Sequence, residues 1–358
     1  MRARLGTIHY TAYKILALIL TFSFFTGCSS LKVSELEVKK LETNEEYSEM
    51  VQINEIEVKK ASEDKKPERK SKTQTKNEPT QKNNPVESKL QKKETKKKIS
   101  VKKKAVKKTS KAPENKNQQS RRPDIDPFHP GEKVDLSLSY LGMDAGILTF
   151  ETLSYVEVNG EKAYKFRVTI KSSDLFSMFY SLDNSAETYL SFDKLIPFSH
   201  EVHINESKQV KEARSYFDWK TNKAHYWEKK ITDDEGEKKR KLEWDLAPFS
   251  QNVISTLFYM RALDLKVGSV HSFNVADDGK IIDLTARVVK QETIKTKKGK
   301  FDTVIIEPTM KVDGAFQQTG KIQLWLTNDN RKLLVKLKSK IKIGSINGEL
   351  VEIVKGTE

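Results

Sequence analysis

Catalysis needs a nucleophile, a proton acceptor or a charge stabiliser at fixed spacing, and this 358-residue sequence offers few such constellations. It has no Gly-x-Ser-x-Gly elbow, no phosphate-binding Gly-rich loop and no His-Glu-x-x-His. Ser339-Lys340-Ile341-Lys342 matches Ser-x-x-Lys, but on a strand an offset of three puts the two side chains on opposite faces. The six histidines are His9, His129, His200, His203, His225 and His271. His200-Glu201-Val202-His203 would present both imidazoles on one face of a helix. Phe198 to Ile204 reads as a strand, however, where they diverge, and a metal would need a distant partner such as His225. Asp233-Asp234-Glu235-Gly236-Glu237 lacks the alternating ligand spacing of a calcium loop and reads as a hairpin tip between Lys229 and Lys238. The expectation is a protein that is not an enzyme, with no metal and no cofactor.

The residue with the clearest chemistry is Cys28. It is the single cysteine, so no disulfide can form within the chain. Arg2, Arg4 and Lys14 precede an apolar run from Ile15 to Phe25, too short for a bilayer span of about 20 residues but suited to a signal peptide. Phe25-Thr26-Gly27-Cys28-Ser29 resembles the bacterial lipobox, with Phe25 where Leu is usual. Residues 1–27 thus read as a lipoprotein signal peptide and Cys28 as the lipid-modified N-terminus, anchored stably when more than one chain is attached. An uncleaved anchor helix is the alternative. By analogy with enterobacterial sorting, Ser29 favours the periplasmic face of the outer membrane.

Charge divides the rest. The formal charge is +15, of which residues 1–30 hold +3 and residues 31–122 hold +12, with 27 Lys/Arg against 15 Asp/Glu; residues 123–358 carry 35 of each sign. The positive charge belongs to a tail, which excludes a basic globular nucleic-acid binder; no nucleic acid is expected. Residues 28–64 form an acidic tether in which Val33-Ser34-Glu35-Leu36-Glu37-Val38-Lys39-Lys40 recurs as Ile53-Asn54-Glu55-Ile56-Glu57-Val58-Lys59-Lys60. Two copies cannot make a solenoid. They could form a hairpin or a docking segment, and the composition favours a partly disordered stretch. Residues 65–125 are Lys-rich, interrupted by Pro67, Pro79, Pro85, Pro113 and Pro123, and read as a disordered, self-repelling linker. As a coil, residues 65–122 span about 40 Å.

From residue 126 to 358 the period is two. Tyr164, Phe166, Val168 and Ile170 share one face, and Val335, Leu337, Ile341 and Ile343 another, with Lys336, Lys338, Lys340 and Lys342 opposite. Asn159-Gly160, Asp278-Gly279, Lys298-Gly299 and Asn328-Asp329-Asn330 mark turns. The pattern predicts a mostly β chain: about a dozen strands in a single antiparallel β-barrel, half-barrel or sandwich domain, preceded by the charged linker. One helix is expected within Pro248 to Leu263, capping the core or lining the mouth of a ligand cavity, with a shorter one at Asp174 to Tyr180. Trp219, Trp227, Trp244 and Trp325 fit a core, or a face turned to a ligand.

Phe128-His129-Pro130-Gly131-Glu132, Leu138-Ser139-Tyr140 with Gly142 and Gly146, Ser255 to Arg261 followed by Val267-Gly268, Trp325 to Arg331, and Ile343-Gly344-Ser345-Ile346 together resemble a family of exported bacterial proteins, domain-of-unknown-function family 3108. The resemblance covers about residues 126–351 and implies export and a β-rich domain, without an assigned activity. Its signature residues here are Gly131, Glu132, Tyr140, Gly146, Arg261, Gly268, Trp325, Asp329, Arg331 and Gly344, all of unknown role. Asp329 and Arg331 are expected to shape the turn after Trp325.

Three functional readings follow. In the first, a lipoprotein carries a β domain that binds a lipid, another small amphipathic ligand, or a protein partner. In the second, the lysines of the linker grip an anionic envelope polymer such as cell wall or lipopolysaccharide. The third, a hydrolase of the envelope, would need acids lining a deep cleft.

Overall fold

The computed structural model describes residues 44–56 and 121–357, except 313–314, 317–321 and 342. Cys28, the first repeat copy and residues 65–120 of the Lys-rich linker lie outside the described residues. The end of the stretch read as disordered linker is corrected, since Arg121 N donates to Asp193 O at 2.9 Å and Arg122 lies over the Phe192 ring.

Among the described residues the predicted alternation becomes one open, 17-stranded antiparallel sheet. In chain order its strands are β1 (Ile53–Glu55), β2 (Glu132–Tyr140), β3 (Met143–Thr152), β4 (Val156–Val158), β5 (Glu161–Ser172), β6 (Asp183–Ser191), β7 (Pro197–Glu206), β8 (Gln209–Asp218), β9 (Lys223–Thr232), β10 (Gly236–Asp245), β11 (Val270–Asp277), β12 (Lys280–Thr296), β13 (Gly299–Val312), β14 (Ala315–Phe316), β15 (Ile322–Thr327), β16 (Leu334–Lys340) and β17 (Ser345–Lys355). The main ladder follows β11-β12-β13-β15-β16-β17-β2-β3-β5-β6-β7-β8-β9-β10, so the last strand, β17, zips onto β2, the first strand of the ladder in chain order. Strict alternation is visible in β2, whose odd positions are half-exposed while Val134, Leu136, Leu138 and Tyr140 are buried. The expectation that Ile343 continues the buried face of β16 is corrected: the strand ends at Lys340, Ile341 still packs part-buried against the core, and Ile343 is exposed on the following turn.

Among the described residues, three short α-helices accompany the sheet: α1 (Glu45–Met50), α2 (Asp174–Ser177) and α3 (Val253–Tyr259). The helix expected across 248–263 is shorter. Asn252 is its N-cap, closing a capping box with Ser255, and Met260–Ala262 tighten into a 3-10 turn. It is buried at six of its seven positions. Phe258 stacks on Phe166 at 4.0 Å and meets Phe150 edge-on at 6.3 Å, while Ile254 is 1% exposed. The sheet therefore curls around α3, which is a plug in the core and not a lid over it.

Part of the stretch read as an acidic tether is ordered, in the manner of the docking-segment alternative. Residues 44–56 dock on the outer face of the sheet. Tyr47 is buried against Trp227, 5.9 Å between rings, and its hydroxyl meets Ser199 at 2.5 Å. Trp227 Nε1 donates to Glu46 at 2.9 Å. Strand β1, from the second repeat copy, pairs with β4. The Asn159 side chain of the predicted hairpin turn bonds the backbone of both Met50 and Gln52.

Candidate functional site

Antiparallel connections alternate between two rims of the sheet, and the signature residues divide between them. At the first rim, Glu132 opens β2 with its side chain 3% exposed. Gly131 before it takes a positive φ of 81° and bonds Thr152 O at 2.8 Å. Arg261, on the 3-10 turn after α3, meets the carboxylate in bidentate fashion, Nη1 to Oε1 at 2.7 Å and Nη2 to Oε2 at 3.0 Å. It also donates to Pro127 O at 2.7 Å and Arg331 O at 2.9 Å. Arg331 adds a second guanidinium, Nη2 to Glu132 Oε2 at 2.5 Å, and donates to Lys355 O.

Asp329 builds the turn that delivers Arg331. Its Oδ1 accepts from Thr327 Oγ1 at 2.7 Å and from the amides of Arg331 and Lys332 at 3.0 and 2.9 Å. The expected role in the turn is thus visible atom by atom, while the convergence of Glu132, Arg261 and Arg331 is an arrangement that sequence spacing did not reveal. Gly268 bonds Val288 O at 2.8 Å on the same side of the domain, and Trp325 donates from Nε1 to Glu292 at 2.6 Å beneath Lys336.

The other signature residues shape the opposite rim. Tyr140 donates to Ile343 O at 3.1 Å. Gly344 takes a φ of 81° that favours glycine, and a Cβ on Gly146 would lie only 2.1 Å from Lys171 O, so that position requires glycine for close approach.

The cluster at Glu132 has little room for a substrate. Both carboxylate oxygens are engaged, and the adjoining cavity, lined by Val134, Phe150, Leu257, Phe258, Leu326 and others, holds about 20 Å³, space for one water. Two further apolar cavities flank α3 with about 20 and 30 Å³. A roomier cleft of about 380 Å³ lies at the surface, among Asp264, Lys266, Gln291, Asn328 and Lys332. Lys332 there is half-buried, which pushes its pKa down.

The other end of α3 is fixed by a buried polar set. Gln251 Nε2 donates to Leu195 O, Asn252 Nδ2 to Thr188 Oγ1 and Ser255 Oγ to Gln251 Oε1, each at 2.8 Å. Sequence reading missed Gln251 and Asn252, although Asn252-x-x-Ser255 is a recognisable capping pair.

His200 and His203 diverge as a strand requires. His200 is buried with Nδ1 3.0 Å from Glu187 O, and His203 is exposed. Because a carbonyl only accepts, Nδ1 carries the proton, and burial pushes the His200 pKa down to about 4. His225 lies elsewhere, stacked beside Trp227 at 6.1 Å. Residues 233–235 are the β9–β10 turn. Among the described residues, no group of three or more His, Cys, Asp or Glu side chains is placed to hold a metal ion.

Fold and site together define a class: an open, barrel-like antiparallel sheet wound around a fixed internal helix. The chain belongs to the family described as protein of unknown function (DUF3108), matched over residues 135–351; Gly131 and Glu132 fall just before the matched span. No curated protein matches it. Among solved structures it is similar to a β-barrel-like protein of domain of unknown function DUF1849 from Brucella abortus, at 12% identity and TM-score 0.40, covering 64% of this chain and 99% of that one. It is also similar to a candidate lipoprotein from Parabacteroides distasonis, at 10% identity and TM-score 0.30 over 66% and 99% of the two chains. A candidate exported protein with a YmcC-like fold from Bacteroides fragilis gives 10% and 0.30 over 64% and 99%. Likenesses this distant describe the surroundings of the fold and carry no functional argument.

Proposed function

We propose that this chain is a non-catalytic envelope lipoprotein, acylated on Cys28 and held at the periplasmic face of the outer membrane, whose β domain acts as a docking body for a protein partner. The observation that carries this choice over a small-ligand carrier is the state of the core. Helix α3 occupies the space a carrier would keep for cargo, is held at both ends by buried polar contacts, and leaves cavities of only 20 to 30 Å³. A drug-sized ligand needs roughly 300 Å³ or more; the cleft beside Asp264 and Lys332, about 380 Å³, has that volume but lies at the surface, outside the core that α3 fills.

Two experiments test it. Palmitate labelling in a bacterial host should be lost in Cys28→Ala. Native mass spectrometry of the chain purified from the periplasm should give the bare mass of a folded domain. A recurrent extra mass, extractable with organic solvent, would restore the carrier reading.

A further inference from the structure

Among the described residues, Ile125, Val267, Val270 and Val354 are exposed singly elsewhere, but the densest set of exposed large apolar side chains gathers at the rim shaped by Tyr140, Gly146 and Gly344. Leu141 is 60% exposed, Met143 42%, Leu175 58%, Met178 79%, Phe179 74% and Ile343 60%. Met143 opens β3, and the others stand on connections that the register makes neighbours: the turn at Leu141-Gly142, Ile343-Gly344 before β17, and the loop carrying α2. Ile346 pairs with Tyr140 and Gly146 with Ser172, while Ser173 bonds Ala145 O at 3.2 Å and Asp144 O at 2.8 Å. The backbone is arranged to present them. Leu141 itself takes φ 50°, and Ser173 caps α2 so that Phe176 turns into the core while Leu175, Met178 and Phe179 face water. Scattered apolar residues are ordinary on a surface, but a gathered set marks an interaction site.

We propose that this rim is the membrane-contacting surface of the domain, its loop tips entering the interfacial layer of the leaflet that holds the acyl chains of Cys28. Two observations favour a lipid surface as the occupant. First, the tips stand on separate turns. Protruding, unconnected side chains suit a fluid apolar phase better than a partner of fixed shape. Second, the leash is short. Because Asn44 is docked, sixteen peptide steps join it to Cys28 instead of the 93 steps to Arg121, and sixteen steps reach at most about 55 Å. Lys171, Lys338 and Lys340 are exposed behind the tips, but Asp144, Asp174 and Asp183 share that rim, so binding rests on apolar insertion and not on anionic lipid. The orientation rests on the lipid-anchor reading; the contact itself does not, and its test needs no acyl chain.

The chain from residue 29 onward contains every described residue and no cysteine. A single Phe179→Cys can therefore carry an environment-sensitive fluorophore. With vesicles of phosphatidylethanolamine and phosphatidylglycerol, its emission should shift to the blue and be quenched by brominated acyl chains. The same label at Val354→Cys, 48% exposed on the other rim, should stay in water. Combined Met178→Ser and Phe179→Ser should weaken vesicle flotation roughly tenfold or more, with Leu175→Ser as a second variant. A label at 179 that stays wet, or flotation unchanged by both variants, overturns the proposal. So does concentration-dependent self-association through the rim without vesicle binding, which would assign it to a second copy. Failure of palmitate labelling alongside intact vesicle binding would remove the anchor reading and leave the rim.

Discussion

The two rims of this sheet solve opposite problems. The first closes the domain: Glu132, Arg261 and Arg331 bring together the start of β2, the exit from α3 and the β15–β16 turn, and their charges are turned on one another. The second presents Leu141, Met178 and Phe179 outward on tight turns. Both rims use signature residues, yet those of the first make contacts that hold the fold, and those of the second set the path of the backbone beneath an apolar surface. Signature residues in this chain therefore point to architecture at one end and to the mounting of an interaction surface at the other.

The sharpest break in that contrast is expected at Glu132. Glu132→Gln would leave two guanidiniums without their carboxylate, one of them, on Arg261, buried at 5% exposure, and removing one partner of a buried ion pair costs about 3–5 kcal/mol. Urea unfolding should show that loss; a loss under about 1 kcal/mol would mean the first rim does not hold the fold closed.

Acid should produce the next largest effect. His200 has a folded pKa of about 4 against 6.5 unfolded, so the unfolded chain binds the extra proton between those values. Its contribution, on the order of 3 kcal/mol, is complete above pH 6.5 and lost as pH falls towards 4. Glu228 gives a second, lower window. Burial pushes it up, but Lys211 at 2.7 Å, the Tyr226 hydroxyl and Arg240 outweigh this and hold it at about 2, so its contribution is lost as pH falls from 4.5 to 2. Stability curves against pH should show both steps, and His200→Gln should flatten the first alone.

What the sequence disclosed follows from range. Period-two alternation and Asn159-Gly160 located β5 and its hairpin because each depends on neighbours a few residues apart, and the signature motifs identified the family. About a dozen strands were legible. Two- and three-residue strands such as β1 and β14 carry too few alternations to be seen, and α1, six residues long, is held by contacts that no local pattern encodes. Tyr47 is the only aromatic in residues 29–122, which in hindsight is its one signal. The site was legible as residues and not as a cluster, since Glu132 meets Arg261 across 129 positions and Arg331 across 199.

The docked segment 44–56 tests whether the outer face is part of the fold or an attachment to it. Tyr47→Ala should release it, with loss of amide protection along β1 and β4, while the sheet beyond loses only about 1 kcal/mol of stability. Hydrogen exchange distinguishes this from global unfolding, because protection in β2 and β17 should persist. Collapse of protection throughout would make the segment a structural part of the domain, and would fix the short leash permanently.

The smallest effect is the most telling. If the second rim is mounted by the fold but does not hold it together, combined Met178→Ser and Phe179→Ser should leave the unfolding midpoint within about 0.5 kcal/mol of the parent. Both side chains are more than 70% exposed and so lose almost no buried area on truncation. Solubility should rise at the same time, since the change removes apolar surface that only an outside partner could cover. Glu132→Gln and the double serine variant thus form a matched pair: one rim should give a large stability change, the other almost none. Equal losses at both would mean that the apolar tips pack in solution, and a rim that packs on its own domain has no face left for a membrane.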